Sequence, residues 1–389
     1  MPGLLIHGAR QVLTLRGANC PRRGAALRNL SIIEDGSILI EDGKIRDVGP
    51  TRRIENLAAA KAAHQISARG RVVMPGFVDS SLKLIGGADA AACARMVRQT
   101  PAWRMTEDGA LLLRRCLRYG TTTIEVKSGS GLDETAALKV LRVVAALVKA
   151  QPIRLLSTFC GATSAPSGDW SAYIELLASR VLPALKAKEL VNFVLVDGNS
   201  PCDAMAEAVH RAGLGLKIAA ESGAVLGAVH RAHTVEHLEG INDADVTRLA
   251  ESSAIAALMP GFGFHSERRG YAPARDLIAR GMAVALASGY DRVLNPSFSM
   301  PMAIELACRK LGMAPSEAIV AATINGAHAV GLGATTGSLE PGKDADILVL
   351  ETPDYRDLAC ETGVNPVDIT IVRGDIACQN SVTYGAAAG

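Results

Sequence analysis

Eight short runs of apolar and β-branched residues punctuate the middle of the chain. They are VVMPGFVD (72–79), TTTIEVKSG (121–129), IRLLSTFCGA (153–162), VNFVLVDG (191–198), LGLKIAAE (214–221), HTVEHLEG (233–240), AIAALMPG (254–261) and MAVALASG (282–289). Their near-continuous apolar character marks strands covered on both faces. Segments with helical spacing lie between most of them, such as ETAALKVLRVVAALVKA (134–150) and DADVTRLAESS (243–253). Strands alternating with helices build a parallel sheet. Eight such units over about 260 residues match the size of a TIM (β/α)8 barrel. An open doubly wound sheet is the alternative. Its Gly-rich fingerprint is missing, because GLGATTG (331–337) has one residue too many and joins no strand to a helix.

The two ends of the chain have a different rhythm. SILIEDGKIRDVGP alternates apolar and polar residues on either side of Asp42-Gly43, a hairpin signal. DADILVLE (344–351) and ITIVRGDIA (369–377), with a turn at Arg373-Gly374, repeat that character. Each end alone has too few strands to be stable. Residues 1–70 and 335–389 are therefore expected to form one composite β-sandwich domain beside a barrel of residues 71–334.

Composition narrows the function classes. Lys plus Arg total 41 and Asp plus Glu 39. This near-balance gives no basic surface for nucleic acid or anionic lipid. No run of about 20 apolar residues exists to span a membrane. The N-terminus MPGLLIHGARQVLTLRG lacks a signal-peptide pattern. The eight cysteines are scattered, with no Cys-x-x-Cys pair. They read as small buried residues of a reducing compartment, so a cytoplasmic location is expected. Aromatic residues are only 4%, which leaves Ala, Val, Leu and Ile to build the core.

In a TIM barrel the active site lies at the C-terminal ends of the strands. The residues there are Asp79, Ser81 and Lys83 after the first run, and Glu125, Lys127 and Ser130 on and after the second. Cys160 and Thr163, Asp197 and Asn199, and Ala219, Glu221 and Ser222 end the next three. His237 and Glu239, Phe264 and His265, and Gly289 and Asp291 end the last three. His233 and His237 are both in one strand run, where four residues span about 13 Å, too far to chelate one ion. Cys160 is either a nucleophile activated by His237 or Lys127, or a packed thiol. Lys127 with Glu125 or Glu221 makes a candidate buried ion pair. No Gly-x-Ser-x-Gly elbow supports an acyl-transfer serine.

Several of these stretches resemble the amidohydrolase superfamily, and within it the imidazolonepropionase family. They are PGFVD (75–79), GTTTIEVKSGSGLD (120–133), LKIAAES (216–222), VEHLEG (235–240), PARDLIARGMAVALAS (273–288), TINGAHAVGL (323–332) and GSLEPGKDADILVLE (337–351). The Glu-Val-Lys-Ser-Gly-x-Gly-Leu run is the most specific of them. The resemblance covers nearly the whole chain and implies a barrel with both termini in a sheet domain beside it. It also implies hydrolysis of a cyclic amidine by water activated on zinc or iron.

The metal ligands of that family do not carry over. Its Asp-x-His-x-His stands here as Asp79-Ser80-Ser81-Leu82-Lys83, its fifth-strand histidine as Ala219 and its eighth-strand aspartate as Gly289. Positions that touch substrate depart too, at Thr163, Ser130 and Ser222, while His237 is retained. A divalent catalytic site needs about three protein ligands plus water. No metal and no other cofactor is expected. Ser81, Lys83, Lys127, Ser130, Thr163 and Ser222 are the candidate ligand-binding residues. His237, Glu221 and Asp291 are the candidate acid–base groups. Lys83 either supplies the positive charge a metal would give an anion, or reaches solvent beside a vacated pocket. If buried, its ammonium needs a partner, and Asp79, Glu221 and Asp291 are the carboxylates within reach.

Three readings follow. One is a metal-free descendant of such hydrolases that binds a small polar or anionic molecule. The second is an active hydrolase of C–N bonds in cyclic amides or amidines with a rearranged site. The third is a structural or regulatory partner that kept the surface of a homodimer.

Overall fold

The computed structural model describes residues 3–380, apart from 88, 130–131, 133, 163–167, 199, 221–230 and 266–269. Five strands come first: β1 (Leu4–Leu13), β2 (Ile32–Glu41), β3 (Lys44–Pro50), β4 (His64–Ser67) and β5 (Val72–Pro75). The barrel strands follow: β6 (Phe77–Lys83), β7 (Thr121–Lys127), β8 (Arg154–Ala162), β9 (Phe193–Asp197), β10 (Gly215–Ala219), β11 (Thr234–Glu236), β12 (Ile255–Leu258) and β13 (Ala283–Leu286). The chain ends with β14 (Ile347–Leu350), β15 (Val367–Val372) and β16 (Asp375–Gln379).

Strands β6 to β13 pair in sequence order, all parallel. Backbone bonds from Gly289 N to Ser81 O and from Lys83 N to Tyr290 O bring the chain after β13 back to β6. The expected eight-stranded barrel is therefore present. Its longer helices bury one face, as Ala102–Arg118 and Glu134–Ala150 do. In Ala102–Arg118 the buried residues Met105, Gly109, Leu112, Leu113, Cys116 and Leu117 recur at helical spacing. They pack on Ile124 and Val126 of β7. The helix stops at Gly120, whose φ of +82° suits glycine.

The other sheet runs β16-β15-β14-β5-β1-β2-β3, with β4 on β1. Ile6, Val12, Ile38 and Ile40 from the start of the chain share a core with Ile347, Val349, Ile369 and Ile371 from its end. Both hairpin turns adopt the left-handed geometry that Asp-Gly and Arg-Gly permit, with φ of 49° and 74° at Asp42-Gly43 and 48° and 82° at Arg373-Gly374. One expected strand is divided. Residues 72–79 read as a single barrel strand, yet β5 pairs with β1 and β14 while β6 joins the barrel. The crossing falls at Pro75-Gly76. A Cβ on Gly76 would stand 2.3 Å from Thr122 Oγ1, so only glycine passes there. Among the described residues no helix is long and apolar enough to cross a membrane.

Candidate functional site at the barrel mouth

Strand alternation decides which side chains enter the barrel. Ile124 and Val126 of β7 pack outward against helices, so Glu125 and Lys127 point inward. Leu216 and Ile218 of β10 and Val235 of β11 likewise pack outward, which turns Lys217, Ala219, Thr234 and Glu236 inward. Lys83 is the register partner of Lys127, and Leu82 packs outward, so Ser81 and Lys83 face the interior.

The deeper interior holds two buried ion pairs. Lys217 Nζ bonds Glu125 and also donates to Ala329 O at 2.9 Å, while Thr158 Oγ1 donates to the other Glu125 oxygen at 2.6 Å. Lys127 Nζ bonds Glu236. All four charged side chains are 2% exposed or less. Burial opposes the charge on Lys127, but Glu236 and Glu125 outweigh it and hold the lysine above its ordinary value. Burial likewise opposes the charge on Glu236, and Lys127 and His237 hold it below the ordinary value. Burial lowers the pKa of Lys217, with Glu125 acting against the shift. The expected pairing of Lys127 with Glu125 is thus corrected, while its alternative partner Glu221 lies outside the described residues. Its partner is Glu236, and Glu125 belongs to Lys217.

The rim is arranged differently. Lys83 Nζ stands 3.5 Å from Asp291 Oδ2, and its side chain is 22% exposed. Of the carboxylates expected within its reach, Asp291 and not Asp79 is beside it among the described residues. Asp79 turns to the barrel seam, where it accepts from Ser288 N at 2.9 Å, Ser81 N at 3.3 Å and Ser288 Oγ. Burial pushes the Asp79 carboxyl from the ordinary 3.8 up to about 6. Asp291 Oδ1 accepts from Val293 N at 3.0 Å and Leu294 N at 3.2 Å, which organises the loop after β13.

His237 has a φ of 58° and sits against the edge of the Phe262 ring. Its Nε2 is 3.9 Å from Glu236 Oε1. Cys160 packs with Leu195 and Ala219, and burial pushes its thiol up despite Lys127 and Lys83. That favours the packed-thiol reading over an activated nucleophile. His265 is exposed at the end of Pro260–His265. Glu221, Ser222, Ser130 and Thr163 lie outside the described residues.

The amidohydrolase family profile matches residues 209–377. The imidazolonepropionase of Symbiobacterium thermophilum is 36% identical over 410 residues, covering 95% of this chain and 96% of that protein. The imidazolonepropionase of Solibacter usitatus is 35% identical, covering 96% and 98%. The chain belongs to the imidazolonepropionase family of amidohydrolases. Among solved structures, E. coli guanine deaminase superposes with a TM-score of 0.74 at 16% identity, covering 97% of this chain and 99% of that one. The triazine hydrolase of Arthobacter aurescens gives 0.75 at 18%, covering 98% and 95%. These two likenesses concern the fold.

The metal of that family can be tested against the residues in place. Ser81 offers a hydroxyl, Lys83 an ammonium and Ala219 a methyl packed on Cys160 and Leu195. Gly289 offers no side chain, and a Cβ there would stand 2.9 Å from both Met259 and Phe262 at a φ of +64°. Room for an aspartate at that position is closed by packing. Among the described residues no three His, Cys, Asp or Glu side chains gather as a metal site. This donor set does not fit a divalent ion.

Sequence reading missed two anchors: Lys217, which pairs with Glu125, and Glu236, which pairs with Lys127. Their signal is a charged residue inside an apolar strand run, LKIA and TVEH, at an inward position. A charge there must be matched across the barrel.

Proposed function

We propose that the barrel mouth binds a small anionic molecule without a divalent metal and carries out no metal-dependent hydrolysis of imidazolonepropionate. One observation carries this reading. Lys83 and Lys127 are register partners on adjacent strands and both face the interior. Two ammonium groups side by side favour an anion and oppose a second cation. Lys127 is sealed against Glu236, whereas Lys83, 3.5 Å from Asp291, keeps 22% of its side chain exposed and is the lysine a ligand can reach. Ser81, two residues before it, adds a hydroxyl on the same face. The experiment is an assay of imidazolonepropionate hydrolysis with and without added zinc or iron, run beside the Symbiobacterium enzyme. The expected result is no turnover in either condition. Turnover comparable to that enzyme's, abolished by a chelator, would overturn the proposal.

A second reading is an active hydrolase of C–N bonds in cyclic amides or amidines with a rearranged site. It is favoured by 35–36% identity over nearly the whole chain to the imidazolonepropionases of Symbiobacterium thermophilum and Solibacter usitatus. His237 would then exchange the proton, with Asp291 or Glu221 as its acid–base counterpart. Chelator-insensitive turnover that is lost in His237→Gln selects this reading.

A further inference from the structure

A cavity of about 220 Å³ shares no residue with the barrel mouth. It lies between the helix Met300–Lys310, Tyr119 at the end of the helix Ala102–Arg118, and residues 357–366 of the connection from β14 to β15. Its walls are apolar, from Pro301, Met302, Leu358, Val364 and Pro366, and the Tyr119 ring joins them, held edge-on against Phe298 at 5.5 Å. Its charge has one sign. Glu305, Asp357 and Glu361 line it, and among the described residues no Lys, Arg or His does. Glu305 is the decisive group, because its side chain is only 9% exposed. Its Oε1 accepts from both Arg309 Nε at 2.9 Å and Thr362 Oγ1 at 2.6 Å. Its Oε2 accepts no hydrogen bond from the described residues. Arg309 is itself tied down outside the lining, donating to Cys360 O at 3.1 Å and Thr362 Oγ1 at 3.2 Å. Asp357 and Glu361 make no ion pair among the described residues. The first turn of the helix Met300–Lys310 offers no counter-charge, since Met302 N and Ala303 N are spent on Ser299 and Pro301 has no N–H.

We propose that this cavity binds a small amphipathic amine, an ammonium group on an apolar body of about one ring. The ammonium donates to Glu305 Oε2, and the body packs on Met302, Leu358 and Val364. The class of ligand follows from the lining. A carboxylate oxygen held among apolar walls gains most from a charged donor. An anion would meet three carboxylates and no facing cation. A divalent ion needs several oxygens at one point, and among the described residues no three such side chains gather as a metal site. An organic cation needs only one buried carboxylate for its head and apolar contact for its body. The Tyr119 ring adds a face that favours a cation. Size sets the body: a cavity of about 150 Å³ holds benzene, so this one has room for a ring and an aminomethyl group.

The test is calorimetric titration of the full chain with benzylamine at neutral pH, where its amine is protonated. Benzyl alcohol is the neutral analogue, benzoate the anionic one and calcium chloride the inorganic cation. Benzylamine should bind saturably, with a Kd below about 1 mM. Benzyl alcohol and benzoate should bind at least about tenfold more weakly, the scale of one charge-assisted hydrogen bond. Glu305→Gln keeps the side-chain shape and an oxygen for Thr362, and should weaken benzylamine binding at least about tenfold. Val364 is 50% exposed, so Val364→Arg disturbs little packing while bringing a cation to the carboxylates. It should weaken binding at least about fivefold. Asp291→Asn, at the barrel mouth, should bind benzylamine within about twofold of the unaltered protein. Absence of saturable binding up to about 10 mM, equal binding of benzyl alcohol, or displacement of benzylamine by calcium would overturn the proposal. So would a loss in Asp291→Asn with none in Glu305→Gln. If Glu305→Gln fails to fold, the Val364→Arg result alone decides. Each of these failures leaves the metal-free reading of the mouth untouched, because the two regions share no residue.

Discussion

The barrel holds two kinds of charge a few residues apart, and they are treated differently. Below the mouth, Lys217 with Glu125 and Lys127 with Glu236 are sealed from water, each ammonium bonded directly to its carboxylate. At the rim, Lys83 and Asp291 face each other across 3.5 Å, and the lysine keeps part of its surface in solvent. Sealed pairs give shape to the barrel and cannot be exchanged without exposing a bare charge. At the rim only the lysine is open to water, while Asp291 is 2% exposed and keeps the Val293 and Leu294 N–H groups. The contrast separates a scaffold from a site within one row of strands.

Breaking a sealed pair should have the largest effect. Lys217→Met leaves Glu125 buried with Thr158 as its remaining side-chain partner and should cost about 3–5 kcal/mol of stability in urea unfolding. Lys83→Met, at the rim, leaves Asp291 its two loop N–H donors and should cost less, about 1–2 kcal/mol, by the same measurement. Equal losses would erase the distinction.

The seam offers a second probe of the scaffold. Asp79 is fully buried, and its folded pKa of about 6 lies above the ordinary 3.8. The folded state therefore holds a proton that the unfolded state has released between about pH 4 and pH 6. The contribution of this group to stability is greatest below that window and falls as pH rises through it. The loss should be about 3 kcal/mol across the window, from the two-unit shift. Asp79→Asn should lack that component of the pH dependence, measured as unfolding free energy from pH 4 to pH 7. An unchanged pH profile would contradict the assignment.

The smallest effect concerns Cys160, which packs beside Ala219 just under the rim. Cys160→Ala should cost about 1–2 kcal/mol through lost packing. It should leave anion affinity at the barrel mouth within about twofold, because the thiol packs with Leu195 and Ala219 and offers no charge to a ligand. Loss of binding would move Cys160 from the scaffold to the site.

Much of this was legible in the sequence, and the limits have physical causes. The eight apolar runs gave the barrel strands, because burial on both faces leaves a compositional trace that needs no partner to be read. Asp42-Gly43 and Arg373-Gly374 were legible because left-handed turns restrict residue type locally. Lys83 stood out because an ammonium at an expected ligand position changes the sign of the local charge. The pairing of Glu125 with Lys217 was not legible. The two residues are 92 positions apart and meet only when four strands are in register. The division at Gly76 was hidden because β5 and β6 are equally apolar, and what separates them is the close approach of Thr122. The closed space at Gly289 depends on Met259 and Phe262, which belong to a neighbouring strand's loop.

The central claim is that Lys83, Ser81, Ala219 and Gly289 leave this barrel mouth without a divalent metal. The most direct measurement is elemental analysis of the full chain purified without chelators and after incubation with zinc and iron. The account predicts well under one tenth of an equivalent of either metal per chain after gel filtration, roughly the level of adventitious binding when ligands are fewer than three. About one equivalent, retained through gel filtration and lost in Asp291→Asn or His237→Gln, would contradict it.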